Sequence, residues 1–212
     1  GPWPVRLTRP ANLMFGRGAM KIDEFHADAL DGQLGPLSVR IDNGHITTFG
    51  SFRAVSAARL HTGDPRFDIG TLKLGGSWKL DLGDTLSGSA ELHRESGDVS
   101  VSLDESLAVR LGKLEVALSA VANKIEAHID IDSQSMGKAA ARLQTQVERR
   151  DGQWLLPGEA PLAGQLSIDM RSIAWAGVFL SGLDRVDGQL AARATLEGSI
   201  AVPRLAGNLQ GD

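Results

Sequence analysis

The sequence predicts an all-β protein built as a long antiparallel sheet, and three observations carry that prediction. Apolar and polar residues alternate along most of the chain. Side chains in a strand point to opposite faces with period two, so this alternation gives each strand one dry and one wet face. Residues 123–132 are the clearest case: Ile125, Ala127, Ile129 and Ile131 fall on one face, and Lys124, Glu126, His128, Asp130 and Asp132 on the other. Turn signals recur between these stretches, among them Asp42-Asn43-Gly44, Ser96-Gly97 and Asp151-Gly152, where Asn-Gly and Asp-Gly readily supply the positive φ of a tight hairpin. Finally, aromatic residues make up only 5% of the chain, with no Tyr, and Gly numbers 25, so turn positions are many and bulky groups able to close a core are few.

The elements follow in order. The first 20 residues carry the weakest pattern, and Gly16, Gly18 and the dry pair Met20/Ile22 suggest a turn entering a strand. Residues 25–34 have no settled period, and Gly35-Pro36 is expected to end that stretch. Leu37, Val39 and Ile41 alternate with Ser38, Arg40 and Asp42, Asn43-Gly44 turns the chain, and 45–52 returns as a strand. Residues 55–62 fit a short helix or a strand equally. Beyond Gly63-Asp64-Pro65, residues 67–74 read as one strand bulged at Gly70. Trp78, Leu80 and Leu82 then share a dry face, followed by Leu86, Gly88, Ala90 and Leu92 on the next strand. After Ser96-Gly97 come Val99, Val101 and Leu103, then Leu107, Val109 and Leu111. The phase slips at Gly112-Lys113 and resumes at Leu114, Val116, Leu118 and Ala120. Past the 123–132 strand, Gly137 opens another with Ala139, Ala141, Leu143, Thr145 and Val147 facing in. Pro157-Gly158 breaks the chain, and Leu162, Gly164, Leu166, Ile168 and Met170 form one more dry face. Trp175, Val178 and Phe179 lie at i, i+3 and i+4, with Ser172 placed to cap and Gly182 to stop, which predicts a short amphipathic helix near 172–181. Two strands close the sequence, with Val186, Leu190, Ala192, Ala194 and Leu196 facing in on the first, and Leu205 and Leu209 on the second.

The bulk numbers exclude several classes. The 212 residues fit one domain, with 42% hydrophobic and 23% charged residues. A net charge of −4 argues against nucleic acid as a partner. Cys is absent, which removes disulfides and thiolate chemistry. No apolar run reaches the roughly 18 residues of a membrane helix, and the N-terminus lacks the pattern of a signal peptide. Gly1-Pro2 and the ending in Gly211-Asp212 suggest a fragment of something longer. His26, His45, His61, His93 and His128 form no metal-ligand spacing, and Asp130 and Asp132 lack the glycine and pattern of a calcium loop. No nucleophile elbow, phosphate loop or dinucleotide fingerprint is present, so we expect no enzyme, no cofactor and no metal.

What remains is a repeated aliphatic face, and something must cover it. A second sheet would make a sandwich, closure on itself a barrel, lipid outside a membrane barrel, and a bound apolar ligand a trough. The membrane barrel is disfavoured, because such barrels carry aromatic girdles and here the four Trp are scattered. Sandwich and trough both remain open, although a face of Ala, Val, Ile and Leu with few rings is smooth in the way acyl chains require. The candidate lining is Leu80, Leu82, Leu92, Val99, Val101, Leu103, Val109, Leu111, Leu114, Val116, Leu118, Ile125, Ile129, Ile131, Leu143, Val147, Leu166, Ile168, Leu190 and Leu196. Trp175, Val178 and Phe179 on the helix fit either core or a plug against such a trough. A fragment with this face also has reason to dimerise.

Several stretches resemble the TamB family of Gram-negative envelope proteins. They are Leu72-Lys73-Leu74-Gly75-Gly76-Ser77-Trp78-Lys79-Leu80-Asp81-Leu82-Gly83-Asp84-Thr85-Leu86-Ser87-Gly88, Arg94-Glu95-Ser96-Gly97-Asp98-Val99, Glu148-Arg149-Arg150-Asp151-Gly152-Gln153-Trp154, Ala160-Pro161-Leu162-Ala163-Gly164, Ser172-Ile173-Ala174-Trp175-Ala176-Gly177, and the run from Asp187-Gly188-Gln189-Leu190 to Val202-Pro203-Arg204-Leu205-Ala206-Gly207. The resemblance covers residues 70–212, with the first 70 matching loosely, and sets the chain toward the C-terminal part of the full protein. It implies a curved sheet folded like a taco around a hydrophobic interior, one elongated segment over 1–212. It further implies a periplasmic location, an inner-membrane anchor outside this chain, and the outer-membrane barrel TamA as a partner. Two activities go with the family: movement of phospholipid between the membranes, and assembly of outer-membrane proteins such as autotransporters.

Overall fold

The computed structural model describes residues 5–59, 67–102, 106–173 and 188–212. Strands make up 73% of them, in the order β1 (Val5–Leu7), β2 (Asn12–Gly16), β3 (Ala19–Ala29), β4 (Gly32–Asp42), β5 (His45–Ser56), β6 (Phe67–Asp68), β7 (Lys73–Leu82), β8 (Leu86–Ser96), β9 (Ser100–Ser102), β10 (Ser106–Ala108), β11 (Leu111–Val121), β12 (Lys124–Ser133), β13 (Gly137–Gln146), β14 (Glu148–Arg150), β15 (Gln153–Leu155), β16 (Ala163–Met170), β17 (Leu190–Gly198) and β18 (Pro203–Gly211). Thirteen of them form one antiparallel sheet in the order β1-β3-β4-β5-β7-β8-β11-β12-β13-β16-β17-β18, with β2 also on β3. The sheet is curved and not closed into a barrel. Two small sheets stand apart from it, β10-β9-β6 and the hairpin β14-β15.

The hairpin turns follow the sequence. Asn43 and Gly44 have φ of 48° and 84°, and Asp151 and Gly152 have 51° and 78°, as two-residue turns with both central residues left-handed require. The turn between β3 and β4 has the same signs at Leu30 and Asp31, φ 54° and 61°, with Gly32 of the Asp-Gly pair falling on the first residue of β4 rather than within the turn. Residues 25–34, whose period is unsettled in sequence, therefore contain the end of one strand, a turn and the start of the next.

Four of the N-terminal strands are irregular. Register shifts fall between Ile22 and Phe25, Leu34 and Leu37, Phe52 and Val55, and Lys73 and Leu74. Glu24 and Ala54 take positive φ within two of these breaks. Gly35-Pro36, expected to end a stretch, instead lies inside the eleven-residue β4, within one of these breaks. Each bulge switches the alternation and adds bend and twist to the sheet.

The region 67–111 departs most from expectation. Residues 67–74 are not one bulged strand: β6 belongs to a small sheet with β9, and the long sheet resumes at β7. Val99 and Val101 do not continue the long sheet either, since β9 pairs with β6 and β10. The anticipated slip at Gly112-Lys113 is present as a shift between Leu111 and Lys113. Ala57, Leu72, Leu74, Val109 and Leu111 form the buried cluster, with Phe52, Ile69, Leu92, Val99, Leu114, Ile131 and Met136 packed against it. The chain between β8 and β11 thus folds over one end of the long sheet. Asp98 ties it down: its carboxylate accepts from the backbone N–H of Val99 (2.9 Å), Arg110 (2.9 Å) and Leu111 (2.8 Å). Residues 174–181 of the helix expected at 172–181, among them Trp175, Val178 and Phe179, and the residue Leu103 lie outside the described residues.

Candidate functional site

The pairing register decides which side chains share a face. Residues directly opposite in an antiparallel pair point the same way, so register can be followed from strand to strand. One row runs Leu7, Ala27, Leu34, Phe52, Gly76, Leu92, Val116, Ile129, Ala141, Leu166, Ala194 and Gly207. A second runs Phe25, Leu37, Gly50, Trp78, Ala90, Leu118, Ala127, Leu143, Gly164, Leu196 and Leu205. Neither row contains a charged or polar side chain, apart from the indole N–H of Trp78. Leu114, Ile131, Ala139, Ile168, Ala192 and Leu209 begin a third row on the later strands.

Of the candidate lining, Leu80, Leu82, Leu92, Leu114, Val116, Leu118, Ile125, Ile129, Ile131, Leu143, Leu166, Ile168, Leu190 and Leu196 all fall on this one face. Val109 and Leu111 are instead buried in the cluster at the folded-over end, and Val147 is buried just beyond β13. The face also includes residues from the first 60 that sequence reading did not assign to it, among them Phe25, Leu34 and Phe52. The Asn43-Gly44 turn was the signal available, because it fixes Ile41 opposite Ile46 and Val39 opposite Thr48.

The rows are not a closed core. No large side chain among the described residues is fully buried. Val116, Ile129, Leu143, Leu166 and Leu196 are half-buried, and Leu118 is 40% exposed. Glycines keep the face level by giving bulky groups room to lie flat. A Cβ at Gly50 would stand 2.5 Å from Trp78 Cζ2, and one at Gly76 2.7 Å from Phe52 Cζ. The rings therefore lie across the neighbouring strand's backbone. Trp78 donates its Nε1–H to Thr48 Oγ1 at 3.2 Å, which satisfies the one polar atom of the indole.

The opposite face is polar and carries charged and hydrogen-bonded pairs along and across its strands. Lys113 lies 2.9 Å from Glu115 and 3.8 Å from Asp130, Lys138 lies 3.1 Å from Asp132, and His128 lies 2.9 Å from Glu126. Open depressions pit this face, including one of about 730 Å³ lined by Arg142, Gln165, Ser167, Arg193, Thr195 and Asn208. His45, 2.6 Å from Asp81, is likewise a surface pair.

At the folded-over end, burial pushes the Asp98 carboxyl up, but the three backbone N–H donors, with Arg94 nearby, outweigh it and hold the group below its ordinary value. Arg94 itself donates from Nε and Nη2 to the Gly97 carbonyl at 3.0 and 2.8 Å. Asp98 is thus a structural anchor for the segment that covers this end of the sheet.

A model of the family described as TamB, N-terminal domain, matches residues 70–210. The chain belongs to the TamB family. The match begins just before β7 and ends in β18, so it takes in the greater part of both rows. The matching model is that of the N-terminal domain, which corrects the expectation that set the segment toward the C-terminal part of the full protein. No curated protein and no solved structure matches the chain. Membership points to a TamB-related role in the translocation and assembly module of the bacterial envelope.

Proposed function

We propose that the apolar face is a track for phospholipid acyl chains, and that this chain is part of a periplasmic conduit between the inner and outer membranes. The observation that carries the reading is the pair of uncharged rows crossing eleven and twelve strands while remaining half-open to solvent. Each CH₂ exposed to water costs about 0.8 kcal/mol, so an acyl chain moves easily only where the next apolar contact is adjacent to the last. Successive residues of a row stand one strand apart, roughly 4.8 Å, and satisfy that condition. No residue need bind tightly, because a deep well anywhere along the track would halt the movement. The phosphate headgroup stays in water at the open side. In this reading an anchor in the inner membrane and the barrel TamA in the outer membrane stand at the two ends.

The test is a pair of substitutions at one position. In Ile129→Asp a carboxylate stands in the middle of a row, where an acyl chain must desolvate it. In Ile129→Ala the row stays apolar. Ile129→Asp is expected to block phospholipid transfer between the membranes, and Ile129→Ala to leave most of it. Equal loss from both, with both proteins folded, would sink the conduit.

A second reading has its own observation. Strand β18 pairs only with β17 among the described residues, and its Leu205 and Leu209 are 64% and 70% exposed. Such an edge can template a strand of a client outer-membrane protein. Proline substitutions on β18 would then impair client assembly while leaving lipid transfer intact.

A further inference from the structure

The hairpin β14-β15 lies between β13 and β16 in sequence but makes its side-chain contacts elsewhere. Arg149 donates from Nη1 to the Gly83 carbonyl at 2.7 Å and from Nη2 to the Gly44 carbonyl at 3.4 Å. These carbonyls belong to the β7-β8 and β4-β5 turns, 66 and 105 residues away in sequence. Asp84 stands 4.0 Å off and fully exposed, so it adds little. The Arg149 side chain is only 30% exposed.

The route from β13 to those turns is itself laced. Val147 N–H donates to the Asn123 carbonyl at 2.9 Å. Asn123 in turn joins the β11-β12 turn to the first residue of β8, its N–H reaching the Leu86 carbonyl at 3.0 Å and its Oδ1 accepting from Leu86 N–H at 2.7 Å. Three successive turns and the exit of β13 are thereby held in one line along one rim of the sheet. Strand spacing within the sheet is fixed by ladder hydrogen bonds, but its curvature and twist are soft. A tie between ends several strands apart limits how far the sheet can flatten.

We propose that Arg149 is a positioning residue: by gripping two distant turns it braces the rim from β4 to β13 and sets the curvature of the groove. The consequence for lipid rests on the conduit reading, whereas the brace itself does not. A guanidinium suits the task, since its planar fork offers two separate nitrogens to two carbonyls, whereas a lysine offers a single one on a flexible stem. The hairpin partner of Arg149 is Trp154, on the same face of the hairpin.

The test is made on the lipid-free chain by double electron–electron resonance. The sequence has no Cys, so label pairs can be placed freely. Thr85→Cys with Asp151→Cys reports the hairpin against the β7-β8 turn, and Lys79→Cys with Gln165→Cys reports the sheet across β7 to β16. In Arg149→Ala both distance distributions are expected to broaden, and the sheet pair to lengthen by about one strand spacing, roughly 5 Å. Arg149→Lys should fall between. Movement of the hairpin pair alone would overturn the brace, and so would two unchanged distributions. Because no lipid is present, failure of the conduit leaves this result standing, and failure of the brace leaves the conduit standing.

Discussion

Replacing one leucine at a time along the same face separates an open groove from a closed core. Leu74 and Leu166 both lie on strands of the long sheet and both face the apolar side. Leu74 is 8% exposed and packs in the cluster under the folded-over chain, whereas Leu166 is half-buried on the open row. Truncation to Ala removes about three carbons, worth roughly 2.4 kcal/mol if fully buried. At Leu74 the surrounding cluster cannot collapse completely, so a cavity adds to the loss and the cost should be about 3–4 kcal/mol. At Leu166 only part of the transfer term is lost, about 1.5–2 kcal/mol, and the space opens onto solvent so that no cavity term is added. Urea unfolding followed by far-ultraviolet circular dichroism measures both. A Leu166→Ala cost equal to that of Leu74→Ala would refute the reasoning, because it would mean that the rows are packed against a second layer and that the molecule is a sandwich.

Other outcomes follow from the same contacts. Asp98→Asn should cost about 1 kcal/mol by weakening charge-assisted bonds to three backbone N–H groups. Its folded-state pKa is lowered from 3.8, so its contribution is present above that value and lost as pH falls through the lower one. Stability of the parent measured from pH 6 downward should therefore fall more steeply than that of Asp98→Asn, and parallel curves would contradict the anchor. Gly50→Ala places a methyl group 2.5 Å from Trp78 Cζ2 and should cost about 1–3 kcal/mol, with a changed near-ultraviolet signal from the displaced indole; an unchanged signal would count against the flat-lying ring. Pro substitution in the middle of β12, at Ala127, removes a backbone N–H donor from a strand paired on both sides and should abolish folding, which limited proteolysis would detect.

Much of the sheet was legible because its evidence is local. The alternation at 123–132, the Asn43-Gly44 and Asp151-Gly152 turns and the slip at Gly112-Lys113 each sit within a few residues of what they determine. Alternation names a face but not a partner, which is why Val99 and Val101 read as more of the long sheet when their segment belongs to a small one. The turn at Leu30-Asp31 places its left-handed residues one position before the Asp31-Gly32 pair that would mark it, so the signal was present but displaced. Gly35-Pro36 reads as a breaker, yet a bulge in β4 absorbs it. The grip of Arg149 spans 66 and 105 residues, a distance at which only the folded sheet brings the partners together. The candidate groove was readable as a list of apolar positions. Its continuity was not, since that depends on register between eleven pairs of strands.

Photo-crosslinking in living cells reads that continuity most directly. A photoreactive residue at Ile129, in the middle of a row, is compared with one at Glu126, which the pairing with Ser119 and Gln144 places on the polar face. The account predicts phospholipid adducts at Ile129 and none at Glu126. Folded protein with no lipid at Ile129, or equal capture at both positions, would contradict it.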